Sequence, residues 1–361
     1  MLQTACHNWH VGQNARMVDF AGWEMPIQYS TITEEHHAVR RAAGLFDIAH
    51  MGRIKFTGPD AAAFLDSIVT NNVAAIEVGQ IRYALVTNET GGILDDVLVY
   101  RLDNSYLLVV NASNRLKILD WIEQHRSRFD VTVEDRTADD FMFALQGPRA
   151  IGILNPLVED CDIAEIGYYR SAAVNFGGEP ALLSRTGYTG EDGFEIICAT
   201  ANGAALWKQV IEAGREHGLL PAGLGCRDTL RLEAAMPLYG HELDEITDPY
   251  TAGLAFGVKL DAADFIGKSA VAEKKADTNR KRRVGLQLEG RRIAREGAKV
   301  LSGEKEIGQV TSGTFSPTLE QSIAMAYVTA DQAAIGTALE IDIRGKRHAA
   351  TVVKLPFYKR G

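Results

Sequence analysis

Cysteine is scarce in this chain: Cys6, Cys161, Cys198 and Cys226 are scattered through 361 residues and form no CxxC pair. That argues against a disulfide framework or a zinc knuckle and favours a reducing compartment. No apolar run approaches the roughly 18 residues that a membrane span needs. The first ten residues, MLQTACHNWH, have neither the apolar core of a signal peptide nor the arginine-rich texture of a transit peptide, so a cytoplasmic protein is expected. There is no GxGxxG after a strand, no Walker lysine, no HExxH and no GxSxG, which removes the commonest nucleotide, zinc and serine-hydrolase readings. Basic excess is missing too. A formal net charge of −9 speaks against a general binder of nucleic acid or of anionic membranes.

What remains is ordinary for a globular enzyme, 46 % hydrophobic and 24 % charged. The length exceeds a comfortable single core, so two or three domains are expected. Thr31 and Glu34 fit a capping box that opens a helix, and Gly44 would stop it. Just before it, MVDFAGWEMPIQY reads as a packed loop broken by Gly22 and Pro26. RIKFTGPDAAAFL and FMFALQGPRAIGIL share a strand, Gly-Pro, helix pattern, with Pro59 and Pro148 expected at the first helical position. Between them a hairpin turns at Asp103-Asn104-Ser105 and a helix covers SNRLKILDWIEQH. Further helices are expected over ANGAALWKQVIEAGREHG and over GLGCRDTLRLEAAMPLYG, the second ended by Pro237 and Gly240. The basic stretch VAEKKADTNRKRR reads as a solvated helix end and linker. From Arg283 onward, short alternating strands with glycine turns predict a barrel-like β domain. The alternation of strands and helices before it points to α+β units with largely antiparallel sheets.

One strand raises a chemical question. In GGILDDVLVYRLDNSYLLVVN, alternation puts Leu94, Asp96, Leu98 and Tyr100 on one face and Asp95, Val97 and Val99 on the other. Both faces are otherwise apolar, and an unpaired buried carboxylate is costly, so at least one of the two needs a partner, a cavity or a task.

Three further features could carry chemistry. In SRTGYTGEDGFEII the glycines at 187, 190 and 193 suit a turning backbone that lets a flat ligand approach. Tyr188 offers an aromatic face there, and Glu191, Asp192 and Glu195 offer paired acceptors that match a ligand edge with two adjacent N–H donors, as a pterin has. The same acids could instead form an exposed turn. Arg227 and Arg231, four apart, share a helical face and could hold a carboxylated tail. They could equally pair internally with Asp228, Glu233 or Glu242. The histidines, including His7, His10, His36 and His37, lack metal-ligand spacing, and no metal is expected. Cys226 beside Arg227 reads as a small buried helix residue.

Together MVDFAGWEMPIQY, GLFDIAHMG, GGILDDVLVY, SRTGYTGEDGFE, PAGLGCRDTLRLE with LYGHELDE, and TSGTFSP with LPFY resemble the aminomethyltransferases of the glycine cleavage system, the T-proteins. The likeness runs from near residue 10 to the C-terminus. It implies a three-domain, cloverleaf-like α+β fold around a folate channel, with two α+β subdomains and a C-terminal β-barrel. The implied boundaries are 1–52 with 139–255 for the folate-binding domain, 53–138 for the subdomain carrying Asp96, 256–283 for a connection and 284–361 for the barrel. The implied reaction transfers the one-carbon unit from the aminomethyl-dihydrolipoyl arm of the H-protein to tetrahydrofolate, giving 5,10-methylenetetrahydrofolate and ammonia. The P- and L-proteins of the system would be further partners.

By the same likeness Asp96 falls on the catalytic aspartate, Glu195 on the pterin-binding glutamate and Arg227 on an arginine at the ligand. Tyr83, Tyr169 and Tyr188 match aromatics of the channel, and Tyr358 a C-terminal tyrosine near the substrate. Met236 and Pro237 depart from a Tyr or Leu found in some members. Two alternatives stand beside this reading. One is a folate-dependent demethylase of the same superfamily. The other is a non-enzymatic folate-binding protein of iron–sulfur assembly, whose KGCYxGQE-like motif is replaced here by RTGYTGEDGFE without a cysteine.

Overall fold

A computed structural model describes the whole chain, Met1–Gly361. It divides into two compact units. The first joins Met1–Leu65, Val73–Tyr83 and Val97–Asp228; the second joins Asp66–Asn72, Ala84–Asp96 and Thr229–Gly361.

The first unit holds a six-stranded sheet in the order Ser171–Phe176, Glu179–Ser184, Gly193–Ala199, Asp140–Gln146, Ala43–Asp47 and Leu219–Pro221. All its pairings are antiparallel except the last, between Leu219–Pro221 and Ala43–Leu45. One face packs on a core that includes Phe141, Phe143, Phe176, Phe194, Ile196 and Trp207. Each such side chain contributes roughly 1.5–3 kcal/mol by leaving water. A five-stranded sheet follows the order Ile81–Thr87, Ile93–Arg101, Tyr106–Val110, Gly52–Thr57 and Thr132–Asp135. The second unit ends in a closed antiparallel barrel of Arg282–Leu288, Gln321–Val328, Lys305–Ser316, Lys299–Ser302, Ala338–Ile343 and Lys346–Val353. Closure leaves that domain no free sheet edge. The fold is therefore α+β with mainly antiparallel sheets and a C-terminal barrel, as the alternation of elements predicts. No helix is long and apolar enough to cross a membrane.

Several local expectations are corrected. Thr31 does cap the helix Ile32–Arg41 through the Glu34 N–H, but the helix stops at Arg41, and Gly44 lies in a strand where Val39 and Phe46 crowd its α-carbon. The stretch taken for a packed loop is a hairpin of Arg16–Phe20 and Trp23–Gln28 turning at Gly22, whose φ of 82° suits glycine. Pro26 is tolerated because a two-stranded ribbon has only edge strands. Pro59 and Pro148 stand in the turns before helices that begin at Ala61 and Ala150, not inside them. The helix Leu224–Glu233 ends ahead of Pro237, with Ala235 at a φ of 56°. The hairpin at 103–105 and the helix Arg115–His125 stand as expected.

Candidate functional site

Strand alternation builds the site in the first unit. Along Gly193–Ala199, Phe194, Ile196 and Cys198 enter the core, so Glu195 points from the opposite face, in register with Ser184 and Ala144. Glu195 is nonetheless buried, 6 % exposed. The Thr186 hydroxyl donates to its Oε2 at 2.5 Å, and the Ser184 hydroxyl donates to its backbone carbonyl at 3.1 Å. Ser184 also lies 3.2 Å from the Thr186 hydroxyl and 3.3 Å from the phenol of the fully buried Tyr100. Burial pushes the Glu195 carboxyl above its usual range, against the opposing pull of Thr186 and Arg227. Burial, with Glu195 as the next cause, raises the Tyr100 phenol as well.

The acidic loop is not a solvated turn. The Arg185 guanidinium holds Asp192 with two bonds of 3.0 and 2.6 Å, and Arg40 donates to Glu191 at 2.9 Å and to the Thr189 carbonyl at 2.7 Å. Gln146 donates to the Thr186 carbonyl at 3.0 Å and accepts from the Thr189 hydroxyl at 2.9 Å. Two glycines serve this packing. A Cβ at Gly187 would stand 2.0 Å from the Gln146 Oε1, and one at Gly193 would stand 2.4 Å from the Leu145 carbonyl. Arginines thus take Glu191 and Asp192, while Glu195 meets a hydroxyl.

Arg227 projects from the helix Leu224–Glu233, and its guanidinium lies 4.7 Å over the Tyr188 ring. Burial lowers its basicity and Glu195 opposes that shift. A cation stacked on an aromatic face next to a buried carboxylate suits a planar polar ligand. Tyr169 sits in the left-handed region at a φ of 59°, a costly place for a bulky residue. Its backbone is held there, donating to the Arg185 carbonyl and accepting from the Ile81 N–H. Tyr83 and Tyr169 are half-buried.

Asp96 and Tyr358 belong to the second unit. Asp95 is fully buried whereas Asp96 is half-buried. The start of this strand is clamped: Ile93 donates to the carbonyls of Asp244 and Thr247, and a Cβ at Gly92 would meet the Glu245 carbonyl at 1.8 Å. Tyr358 donates its backbone N–H to the Glu233 carbonyl at 2.8 Å. Arg231 takes the internal pairing. It is buried, donates to Glu242 at 2.8 Å and to the Ser312 hydroxyl at 2.8 Å, and so is a packing residue.

Sequence reasoning missed Tyr100, Ser184, Thr186 and Gln146. A signal existed for two of them, since Ser184 and Thr186 stand two apart at the end of a strand. His7 and His10 are paired across the fold. The buried His10 bonds Asp47 at 2.9 Å and the Tyr29 phenol at 2.8 Å, and His7 bonds Glu24 at 3.0 Å. No group of three or more His, Cys, Asp or Glu side chains is placed to hold a metal ion. Cys226 is buried, as expected.

Comparison with known proteins agrees along the whole chain. The family model of the GCVT N-terminal domain matches residues 6–262, and that of the glycine cleavage T-protein C-terminal barrel domain matches residues 281–359. The aminomethyltransferase of Symbiobacterium thermophilum is 47 % identical over 366 residues, covering 99 % of this chain and 98 % of the relative. That of Moorella thermoacetica is 48 % identical over 361 residues, covering 100 % and 98 %. The crystal structure of glycine cleavage system aminomethyltransferase T from Bartonella henselae superposes with a TM-score of 0.91 at 34 % identity, covering 99 % of this chain and 98 % of that one.

Proposed function

The chain belongs to the glycine cleavage T-protein family, and we propose that it is an aminomethyltransferase that passes a one-carbon unit to tetrahydrofolate. The observation that carries this is full-length likeness to aminomethyltransferases, through both domains in order. The family membership places the protein with the other components of glycine cleavage. The specific donor proposed here is the lipoylated H-protein, with the P- and L-proteins as its companions in the system.

In the proposed reaction the carrier presents S–CH2–NH2. The methylene carbon forms bonds to two folate nitrogens and loses its bonds to sulfur and to the amine. The two protons released from the folate nitrogens go to the departing ammonia and to the thiolate. Asp96 is proposed as the carboxylate that steadies the cationic carbon–nitrogen centre and relays a proton. Glu195 is proposed to accept from the two N–H donors of the pterin edge, where burial strengthens a charge-assisted bond. Arg227, stacked on Tyr188, supplies a cation beside the same ring, and Tyr83, Tyr169 and Tyr358 are proposed as aromatic walls. The proposed domain division is 1–52 with 139–255, 53–138, a connection over 256–283, and 284–361.

The deciding experiment is ammonia release from aminomethylated H-protein with and without tetrahydrofolate, with the folate product identified. Folate-dependent ammonia release with methylene-folate is expected. Methyl-folate from another donor would point to the demethylase instead.

A further inference from the structure

The side chain that meets the Glu195 carboxylate is Thr186, whose hydroxyl donates to Oε2 at 2.5 Å. Thr186 is itself 2 % exposed. Its backbone is held on both sides, the carbonyl accepting from Gln146 at 3.0 Å and the N–H donating to the Ser184 carbonyl at 3.0 Å. The hydroxyls behind it are ordered in turn. Ser184 donates to the Glu195 carbonyl at 3.1 Å, which uses its single hydrogen. The fully buried Tyr100 phenol, 3.3 Å from Ser184, is therefore the donor in that contact, and burial keeps it protonated. Thr186 also has one hydrogen. The shorter contact, 2.5 Å against 3.2 Å to Ser184, commits it to the carboxylate.

The terminal torsion of a glutamate is broad, so a carboxylate without a bond would turn over a wide range. Bonding Oε2 fixes its plane and leaves Oε1 for a ligand N–H. The charged and titratable groups facing Glu195 are Arg227, from the helix Leu224–Glu233, and Tyr100. Its register partners Ser184 and Ala144 are neutral, while Arg40 and Arg185 are committed to Glu191 and Asp192. Against the cost of burial, Thr186 and Arg227 are the two groups that favour the ionised carboxylate.

We infer that Thr186 is a positioning residue of the ligand site, its hydroxyl fixing the Glu195 carboxylate so that Oε1 is offered to the N–H edge of a bound tetrahydropterin. The inference rests on the folate reading above. It adds a residue that acts through Glu195 and does not itself touch the ligand. A ligand edge that presented an acceptor there would meet a carboxylate that cannot turn away from it.

The test is titration calorimetry of tetrahydrofolate and of 6-methyltetrahydropterin, which lacks the aminobenzoylglutamate tail, on the full chain from acid to neutral pH. Wild type, Thr186→Val, Thr186→Ser and Thr186→Ala are compared, and the melting temperature of each free protein is recorded. Valine keeps the shape and removes the hydroxyl, whereas serine keeps the hydroxyl. A hydrogen bond to a charged group moves a pKa by about one to two units, so the acid midpoint of binding should rise by that much in Thr186→Val. Affinity for both ligands at neutral pH should fall about three- to thirty-fold, and serine should restore both readings. The ligand's own ionisation is common to all variants and cancels in the comparison. In a Glu195→Gln background, Thr186→Val should cost less affinity than it does in wild type, because the two side chains act as one unit. A midpoint that stays in place overturns the inference, whatever the melting temperature does. So does unchanged affinity, an equal loss in the Glu195→Gln background, or a serine variant that restores nothing. If valine is not accommodated, alanine is read in its place, and failure of both to fold overturns the inference as well. If wild type binds neither ligand, the folate reading itself falls, and that outcome is distinct from wild-type binding with indifferent variants.

Discussion

Glu195 shows how one buried carboxylate separates binding from stability. In the unfolded chain it ionises near 4.5, while the folded protein keeps the proton to higher pH because the site is desolvated. The folded state then binds more protons across that interval, so this residue's contribution to stability falls as pH rises through it. Glu195→Gln removes the buried charge and leaves an amide oxygen for the Thr186 hydroxyl. We expect the variant to melt no lower than wild type at pH 7, with the difference closing below about pH 4.5, where both side chains are neutral. Its tetrahydrofolate affinity should drop by about 1.5–3 kcal/mol, because one acceptor becomes a mismatched donor. Calorimetry and melting curves read the two effects separately. The adjacent aspartates part in the same way. Asp96→Asn is expected to fold normally and to lose about 10²–10⁴-fold in single-turnover methylene transfer, with a smaller change in folate binding. Asp95→Asn, at a fully buried position, should lower the melting temperature and leave the rate closer to wild type. A slower enzyme from Asp95→Asn than from Asp96→Asn would reverse the two assignments.

A single helix, Leu224–Glu233, carries two arginines whose fates differ. Arg231 donates to Glu242, which also accepts from the Thr311 hydroxyl at 2.6 Å and from the Leu238 N–H at 3.0 Å. Burial disfavours the Glu242 carboxylate, but Arg231 and these hydrogen bonds together hold its pKa below the ordinary value. Its contribution is complete above about pH 4.5 and is lost as pH falls through the depressed value. Arg231→Ala strands that carboxylate and should cost about 3–5 kcal/mol. The segment after Glu242 grips Gly92 and Ile93, so the network also anchors the strand that bears Asp96. Arg227→Ala should cost less stability and more folate affinity. Chemical denaturation and calorimetry on both variants decide this, and equal folate losses would mean that Arg227 has no special place at the ligand.

For the whole molecule, ligand linkage gives the clearest reading. Tetrahydrofolate at 100 times its dissociation constant adds about 2.7 kcal/mol to the state that binds it. With about 2.1 cal/mol/K of unfolding entropy per residue, a chain of 361 residues should melt about 4 °C higher. Glu195→Gln at the same ligand concentration should lose most of that rise, and differential scanning calorimetry measures it. Because the chain forms two compact units, the rise belongs to whichever transition contains the ligand site.

The amino-acid sequence by itself determined the α+β character, the closing barrel, the capped helix at Thr31 and the placing of Asp95 and Asp96 on opposite faces of their strand. These rest on local physics, since side-chain period, capping and turn chemistry act within a few residues. It also carried the family likeness, because many short motifs kept their order. Helix ends were less legible: the tertiary contacts around Gly44 drew it into a strand, and the helix bearing Arg227 closed at Glu233 before its proline. Only the tertiary structure decided which acids of the loop at 191–195 are committed. Arg40 reaches Glu191 from 151 residues away, and Gln146 reaches Thr186 across 40. It alone set Arg231 against Glu242 and left the His50 Nδ1 without a hydrogen-bond partner. Partners of a buried charge are chosen by strand register and packing between distant segments, and no local pattern encodes that choice.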